Sequence, residues 1–432
     1  MGEGVLNAEA AAGFERIGGA LWCEAVPLEA IADAVGTPTY VYSSGMIRAR
    51  YRRLEAALGQ VPHRIHYTLK ANSSRAVLGV LRQLGAGADV VSGGELHRAL
   101  RAGFSGGDII FGGVGKTERE LREGLAAHVL FFNVESEGEL LLLDRLAAEQ
   151  GLTVPVSLRV NPEITVEAAH EYIKTAERGH KFGIPYDEVI TAARLARDLP
   201  NTVLVGLDMH LGSQLTSLEP YRRGTERLVM LCLAMQAEGV KTLEYLDIGG
   251  GLGVRYFTES EPDVEQFSDV VLPALARTGL KLVMEPGRFI VGNAGVLLSR
   301  VLYRKRSGGK EHLVADAGMT ELLRPSHYKA YHRIEAVRTR RQSIVADIVG
   351  PVCESGDFLA LGRDIDAVIP GDLLAVFDVG AYGYVMSSNY NTRPRSAEVL
   401  VDGDRFAVVT ARERYDDLVR TEVAEPEWRR RE

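Results

Sequence analysis

The sequence predicts a (β/α)8 barrel joined to a second, mostly β domain. From Arg64 onward, short strand-like runs alternate with helix-length amphipathic runs, and about eight such units follow in series. After Gly295 the pattern changes to strands separated by turns. We therefore predict a barrel over residues 42–290 and a β domain formed by residues 1–41 and 291–432. The predicted barrel strands are Arg64–Lys70, Gly87–Ser92, Asp108–Gly113, His128–Asn133, Val154–Asn161, Val203–Leu211, Glu244–Gly250 and Lys281–Pro286.

Helical periodicity fills the gaps between these strands. The predicted barrel helices are Ser74–Leu84, Gly94–Ala102, Thr117–Leu125, Ser136–Gln150, Tyr186–Asp198, Leu218–Glu238 and Val264–Ala276. The residues ahead of the barrel predict a strand at Ala20–Trp22, a helix at Leu28–Val35, a strand at Thr39–Tyr42 and a helix at Ser43–Leu58. The β domain is predicted from Val296–Lys305, His312–Ala315, Gln342–Val349, Leu373–Phe377, Glu398–Val401 and Phe406–Thr410.

Composition narrows the class of protein. The 432 residues carry 50 Lys and Arg against 58 Asp and Glu, a formal charge of −8, which argues against nucleic acid as a partner. Three cysteines cannot build a disulfide framework and favour a reducing compartment. The N-terminus shows no secretory or myristoylation pattern, and no apolar run is long enough for a membrane span. We expect a cytoplasmic protein without a membrane partner.

Lys70 stands at the end of the first predicted barrel strand, followed by the turn-forming residues Ala71 and Asn72. Many lysines at strand ends simply reach solvent. A desolvated lysine loses its charge more readily, and the neutral amine can form a Schiff base with a carbonyl cofactor. The second interpretation gains weight from the groups that follow other strands.

Catalytic groups of a barrel lie at the C-terminal ends of its strands. Here those positions hold Asp89 and Ser92 after the second strand, His210 and Ser213 after the sixth, and Glu285-Pro286-Gly287-Arg288 after the eighth. A lone His210 is more often an interior histidine, and a lone Glu-Pro-Gly-Arg is more often a turn with a surface ion pair. Several such groups on one barrel favour an active site.

A glycine run, Gly249-Gly250-Gly251-Leu252-Gly253, follows the seventh strand. Glycine clusters often only turn a chain, and Val254 breaks the dinucleotide-binding pattern. Barrels nevertheless often bind a phosphate at the loops after strands seven and eight, because backbone N–H groups can approach the anion there. Arg288 on the next loop could add a charged contact.

Glu285 predicts the type of reaction. If the cofactor is pyridoxal phosphate (PLP), a carboxylate beside its pyridine nitrogen keeps that nitrogen protonated, so the ring accepts electrons from the substrate's α-carbon. An arginine there would favour racemisation. The glutamate therefore favours decarboxylation and argues against an alanine-racemase-like enzyme.

Together these motifs resemble those of the fold-type III PLP-dependent decarboxylases. Tyr67-Thr68-Leu69-Lys70-Ala71-Asn72 resembles the family's lysine block, which implies that Lys70 is the Schiff-base lysine. The other matching barrel blocks are Asp89–Glu95, His210–Gln214, Gly249–Gly251 and Glu285–Arg288. The resemblance implies that His210 stacks on the cofactor, that Asp89 lies near it and that Glu285 contacts its ring nitrogen. It also implies that the cofactor's phosphate is surrounded by Ser213, Gly249, Gly250, Gly251, Gly287, Arg288 and Tyr382.

The second domain resembles the same family. Leu323–Tyr328 implies that Arg324 and Tyr328 bind a substrate carboxylate together with Arg288, and Asp378–Gly383 implies that Tyr382 contacts the substrate. Cys353-Glu354-Ser355 implies that Cys353 protonates the carbanion and that Glu354 binds a distal amine. Met386–Pro394 and His170–Thr175 are similar to the diaminopimelate branch of the family.

The family resemblance implies a homodimer with shared active sites and an amino acid as its small-molecule substrate. We expect no metal site. Two alternatives stay open on the sequence. One is a relative that decarboxylates ornithine, arginine, lysine or a carrier-linked amino acid, and the other is a non-catalytic PLP-binding regulator.

Overall fold

The computed structural model describes residues 13–59, 61–165 and 179–429, and the chain divides into two compact units. The first unit contains Ser43–Gly295 and Asp378–Val385, and the second contains Phe14–Tyr42, Val296–Phe377 and the residues from Met386 onward. The elements ahead of the barrel strands are β1 (Phe14–Ile17), β2 (Ala20–Cys23), β3 (Val26–Pro27), α1 (Leu28–Val35), β4 (Thr39–Ser43) and α2 (Ser44–Leu58).

The first unit is a closed barrel of eight parallel strands, which confirms the predicted fold class. Its strands are β5 (His63–Thr68), β6 (Gly87–Val90), β7 (Ile109–Phe111), β8 (Phe131–Val134), β9 (Val154–Asn161), β11 (Thr202–Asp208), β12 (Tyr245–Asp247) and β13 (Lys281–Met284), with the short β10 (Ile184–Pro185) paired to β9. Pairing of β13 with β5 and of β8 with β9 completes the ring.

Helices follow the strands around the barrel. They are α3 (Arg75–Gln83), α4 (Gly93–Arg101), α5 (Glu118–Ala127), α6 (Glu137–Glu149), α7 (Val189–Asp198), α8 (Glu219–Ala237), α9 (Val264–Leu275) and the short α10 (Arg288–Val291). Ser92, Thr117 and Ser136 each accept a hydrogen bond from a backbone N–H of the first turn, which fixes the starts of α4, α5 and α6.

Apolar side chains from different strands pack into one cluster of the barrel. Ile110, Phe131, Val205, Tyr245 and Val283 are all buried and come from five strands. Burial of both faces explains why these strands are nearly continuous apolar runs rather than alternating ones.

The second unit is built mainly from β-strands, as predicted. Its later elements are β14 (Gly295–Ser307), β15 (Lys310–Ala315), α11 (Arg324–Tyr328), β16 (Ile334–Ala336), β17 (Ser343–Val349), β18 (Phe358–Asp366), β19 (Leu373–Phe377), β20 (Ala397–Asp402), β21 (Arg405–Thr410) and α12 (Tyr415–Val419). The main sheet has the order β18-β17-β15-β14-β4-β20-β21, and β19 pairs with β14 and β16. Among the residues that the structure describes, no helix has the length and hydropathy of a membrane span.

Six of the predicted barrel strands end earlier than the sequence suggested, and β5, β12 and β11 are examples. β5 ends at Thr68, because the N–H of Ala71 turns back to the carbonyl of Thr68 (3.3 Å) and closes a turn that contains Lys70. β12 ends at Asp247, whose carboxylate accepts the N–H of Gly249 (2.8 Å). β11 ends at Asp208, so His210 lies in the following loop. Local turn bonds thus form directly after β5 and β12.

Candidate active site

Lys70 lies in the turn after β5, at the C-terminal end of the barrel strands. The turn is held on two sides: the N–H of Leu69 donates to the carbonyl of Asp89 (3.0 Å) and the N–H of Tyr382 donates to the carbonyl of Ala71 (2.8 Å). Asn72 adds a bond from its Nδ2 to the carbonyl of Gly380 (3.0 Å). The backbone on both sides of the lysine is therefore fixed, and its side chain remains 34% exposed.

The charges around Lys70 differ from the sequence-based expectation. Burial lowers the pKa of its amine, but the negative charges of Asp89 and Glu285 and the hydroxyl of Tyr382 outweigh burial, so the pKa is raised above its usual value. Lys70 Nζ lies 3.9 Å from Asp89 Oδ2. The expectation of an amine that is neutral through desolvation alone is thus wrong, since strand ends of a barrel bring several carboxylates to the same place.

The glycine run forms a tight loop against neighbouring backbone. Gly249 and Gly251 adopt positive φ angles of 69° and 103°, which favour glycine. A Cβ atom at Gly249, Gly250 or Gly251 would overlap a carbonyl oxygen, that of Met209, Glu285 or Gly212 respectively. Side chains are therefore excluded, and the loop presents bare backbone of the kind that can approach a phosphate.

Arg288 lies beside this loop as the first residue of α10. Its guanidinium donates to the Tyr256 hydroxyl (2.7 Å) and to Ser213 Oγ (3.1 Å), and it lies 4.7 Å from the centre of the Tyr382 ring. Gly287 has no room for a side chain, because a Cβ would meet Thr68 Cγ2 at 2.5 Å. The first unit thus brings together four of the predicted phosphate-binding residues, as an anion-binding site requires. They are Ser213, Gly287, Arg288 and Tyr382.

Glu285 follows β13 and is 6% exposed. Its Oε1 accepts a hydrogen bond from Asn133 Nδ2 (3.2 Å). Burial, and then the charges of Asp247 and Asp89, raise the pKa of Glu285 well above its usual value. A positively charged ligand atom beside this carboxylate would relieve that cost, which suits a protonated ring nitrogen.

His210 lies next to the glycine loop. The N–H of Gly250 is 3.4 Å from His210 Nδ1. Burial, and then the positive charges of Lys70 and Arg159, hold the pKa of His210 well below its usual value, so its ring is neutral at physiological pH. A neutral aromatic ring is suited to stacking on a planar cofactor.

Four further polar residues surround Glu285 that the sequence analysis did not single out. These residues lie at or near the ends of four barrel strands and are Asn133, Arg159, Asp208 and Asp247. Two of them lie close to Glu285, since one carboxylate oxygen each of Asp208, Asp247 and Glu285 lies within 4.8 Å of the others. Their common signal in the sequence was a polar residue that ends an apolar strand.

The predicted substrate residues of the second unit fall into two groups. Arg324 and Tyr328 begin and end α11, and four residues of spacing places them on one helix face. Arg324 is 7% exposed, and its Nη1 lies 2.9 Å from His332 Nε2. Burial and the contact with His332 restrict the orientation of the Arg324 guanidinium group.

Cys353 and Glu354 are exposed on the loop between β17 and β18. The loop is shaped by Asp357, whose carboxylate accepts the N–H of Met319 (2.6 Å) and that of Val352 (2.6 Å). The N–H of Cys353 donates to Asn391 Oδ1 (3.0 Å), within the block that resembles the diaminopimelate branch. The other block of that branch, His170–Thr175, lies outside the described residues.

The barrel residues fit the cofactor that the family resemblance implies. PLP requires an amine for its aldehyde, a side-chain-free cradle for its phosphate and a carboxylate for its ring nitrogen. Lys70, the loop Gly249–Gly251 and buried Glu285 supply one of each at the same end of the barrel.

Comparisons with known proteins identify the family. Residues 44–292 match the family "Pyridoxal-dependent decarboxylase, pyridoxal binding domain". A diaminopimelate decarboxylase from Pseudomonas fluorescens is 48% identical over 416 residues, which cover 96% of this chain and 99% of that protein.

Two solved structures are similar over nearly the whole chain. Diaminopimelate decarboxylase from M. jannaschii in complex with L-lysine has a TM-score of 0.91 at 33% identity, covering 96% of this chain and 98% of that one. The Helicobacter pylori enzyme complexed with L-lysine has a TM-score of 0.88 at 36% identity, covering 91% and 99%. The chain therefore belongs to the diaminopimelate decarboxylase family of PLP-dependent decarboxylases.

Proposed function

We propose that this protein uses PLP to decarboxylate meso-2,6-diaminopimelate to L-lysine. The observation that carries the proposal is the grouping of Lys70, Glu285 and the glycine loop Gly249–Gly251 at one end of the barrel, in a chain 48% identical to a diaminopimelate decarboxylase. When bound, PLP accepts the electron pair left on the substrate's α-carbon as carbon dioxide departs.

Each barrel residue has a defined task in this proposal. Lys70 offers its amine to the cofactor's aldehyde, and Asp89, 3.9 Å away, balances its charge before the cofactor arrives. His210 supports the ring from one face. The phosphate is bound by the N–H groups of Gly249–Gly251 together with Ser213, Gly287, Arg288 and Tyr382.

Glu285 determines the outcome of the reaction. As an anion it holds a proton on the ring nitrogen, which favours loss of carbon dioxide over a simple proton exchange at the α-carbon.

Substrate choice is assigned to the residues that the family resemblance implies. Diaminopimelate carries an amine and a carboxylate at its distal end, in addition to the pair that reacts. We assign the distal carboxylate to Arg288, Arg324 and Tyr328 and the distal amine to Glu354, with Tyr382 beside the reacting end. A charged hydrogen bond contributes about 1.5–3 kcal/mol, enough for tenfold or greater discrimination against substrates that lack the carboxylate.

We further propose a homodimer with shared active sites, supported by the family resemblance. Cys353 of one copy protonates the substrate's α-carbon in the other copy's barrel after carbon dioxide has left, and Glu354 accompanies it. The exposure of Cys353 and Glu354 supports a role toward a second molecule. The composition supports a cytoplasmic location, since the described cysteines are all free thiols.

The test compares kcat/KM for meso-diaminopimelate, lysine, ornithine, arginine and glutamate with the PLP-loaded protein. We expect diaminopimelate to exceed each of the others by at least tenfold. Higher values for another amino acid would assign the chain to a related decarboxylase. If the protein binds PLP but releases carbon dioxide from none of these amino acids, the alternative of a non-catalytic PLP-binding regulator is favoured.

A further inference from the structure

Three buried carboxyl groups lie together at the C-terminal ends of β11, β12 and β13. Asp208, Asp247 and Glu285 are 2%, 0% and 6% exposed, and one oxygen of each lies within 4.8 Å of the others. Two like charges at about 4 Å repel by about 4 kcal/mol even at an effective dielectric constant near 20. Three adjacent anions in a buried site are therefore unfavourable, and at least one group must hold a proton.

The hydrogen bonds differ among the three groups. Asp247 Oδ1 accepts the N–H of Gly249 (2.8 Å), and Glu285 Oε1 accepts from Asn133 (3.2 Å). Asp208 Oδ1 is buried and has no hydrogen-bond partner among the residues that the structure describes. A carboxylate without donors is the least stable anion of a set, so the geometry favours Asp208 as the neutral member.

The cation nearest to Asp208 is already engaged elsewhere. Arg159 Nε lies 3.8 Å from Asp208 Oδ2, beyond hydrogen-bond length, whereas Arg159 Nη1 lies 2.6 Å from Glu135 Oε1. Glu135 in turn accepts the N–H of Gly183 (2.9 Å). Arg159 thus lies near both Asp208 and Glu135, and it forms its hydrogen bond with Glu135, the closer carboxylate.

A second polar group near the cluster also lacks a partner. Asn133, 2% exposed, donates from Nδ2 to Glu285, and its Oδ1 has no partner among the described residues. Asp247 Oδ2 is likewise buried without a partner there. Two acceptor oxygens near the cluster thus lack a donor, and the O–H of a protonated carboxyl group would supply a bond to one of them, which an ionised group cannot do.

Burial is the first cause that raises the pKa of all three carboxyl groups, that of Asp247 to about 7. Burial, and then the charge of Asp247, raise the pKa of Asp208 well above its usual value. The pKa of Glu285 is raised for the same reasons, but a cationic ring nitrogen beside Glu285 would stabilise that anion and leave the proton to Asp208. The charged or titratable groups around Asp208 are Asp89, Glu135, Arg159, Asp247 and Glu285.

We propose that Asp208 is a neutral acid in the cofactor-loaded protein and acts as a positioning residue, which allows Glu285 to face the ring nitrogen as an anion. The inference rests on the proposed function, because the ring nitrogen belongs to PLP. Asp208 touches neither cofactor nor substrate in this account. Its effect passes through Glu285.

Infrared difference spectroscopy tests the protonation of Asp208 directly. The spectrum of the PLP-loaded wild type minus that of Asp208→Asn should contain the carbonyl stretch of a protonated carboxylic acid at neutral pH. The matched control Asp198→Asn, at a side chain that is 65% exposed, should give no such band. A wild-type minus Asp208→Asn spectrum without the band would overturn the proposal.

PLP labelled with ¹⁵N in its ring supplies a second readout. In Asp208→Asn, a neutral group of the same shape, we expect the ring nitrogen to keep the chemical shift of its protonated form and the PLP Kd to stay within about threefold of wild type. We expect Asp208→Ala to raise that Kd tenfold or more. An equal rise in PLP Kd in Asp208→Asn and Asp208→Ala would contradict the positioning role. So would an unprotonated ring nitrogen in Asp208→Asn. Failure of the wild type to bind PLP or release carbon dioxide would instead refute the proposed function.

Discussion

The N–H of Tyr382 donates a 2.8 Å hydrogen bond to the carbonyl oxygen of Ala71, the residue directly after Lys70. Asn72 strengthens the same connection with a 3.0 Å bond to the carbonyl of Gly380. Residues 378–385 are distant in sequence from the lysine turn, yet they hold it in place within the barrel unit. Correct placement of the lysine amine therefore depends on this late segment.

Asn72→Ala should weaken cofactor binding although Asn72 carries no charge. The change removes the bond to Gly380 and the one that Asn72 Oδ1 accepts from the N–H of Ser74 (3.0 Å). Loss of a buried hydrogen bond costs about 1–3 kcal/mol, so we expect PLP Kd to rise by about tenfold. Fluorescence titration with PLP measures it, and an unchanged Kd would show that the lysine turn is held by other contacts.

Gly250→Ala should abolish cofactor binding, because the added Cβ would overlap the carbonyl oxygen of Glu285 and displace the phosphate loop. The matched control is Gly79→Ala within α3, where an added Cβ meets no atom within 4 Å. Alanine is a better helix former than glycine, so the control should bind PLP normally and raise the free energy of unfolding by up to about 1 kcal/mol. Normal PLP binding by Gly250→Ala would remove the loop from the phosphate site.

Mixing two inactive variants tests the shared sites. Lys70→Ala and Cys353→Ala should each have little activity. The first removes the amine that meets the cofactor's aldehyde, and the second removes a proton donor, whose positioned transfer contributes about 10²–10⁴-fold. If subunits exchange at random, a mixed dimer has one site with both changes and one with neither, so activity should recover to about a quarter of wild type. Sedimentation confirms the dimer, and a mixture no more active than its components would refute shared sites.

His66 should make stability depend on pH. The side chain is fully buried on β5, and burial, and then the charge of Arg64, lower its pKa to about 3. Below the unfolded-state value of about 6.5 the unfolded chain takes up a proton that the folded chain refuses, so this residue reduces stability as the pH falls, by at most about 1.4 kcal/mol per pH unit. Above that value it has no such effect.

The measurement is urea unfolding of wild type and His66→Gln between pH 7 and pH 5. Contributions from other groups cancel in the difference between the two proteins. We expect wild type to lose stability more steeply on acidification than the variant does. Equal slopes would mean that His66 is accessible to protons in the folded state.

The fold class followed from the sequence because the barrel repeats one pattern. Each unit pairs a buried apolar strand with an amphipathic helix, so an error at one boundary does not disturb the next. β18 (Phe358–Asp366) was missed because its second half, Gly362-Arg363-Asp364-Ile365-Asp366, is polar and contains glycine. Pairing with β17 holds it extended, and that information is absent from local sequence.

The candidate site was predictable where chemistry is concentrated in short motifs, as at Lys70 and the glycine loop. It was less predictable where several strands contribute one residue each. Asp208, Asp247 and Asn133 acquire meaning only when the closed barrel brings them to Glu285. The raised pKa of Lys70 was missed for the same reason, since burial could be inferred from sequence but the number of nearby acids could not.

The most direct test of the proposed function follows both products from meso-diaminopimelate labelled at its carboxyl groups. We expect the PLP-loaded wild type to release labelled carbon dioxide and form L-lysine in equal amounts, and Lys70→Ala to form neither at a measurable rate. Carbon dioxide without lysine, no reaction with diaminopimelate, or full activity in Lys70→Ala would contradict the account.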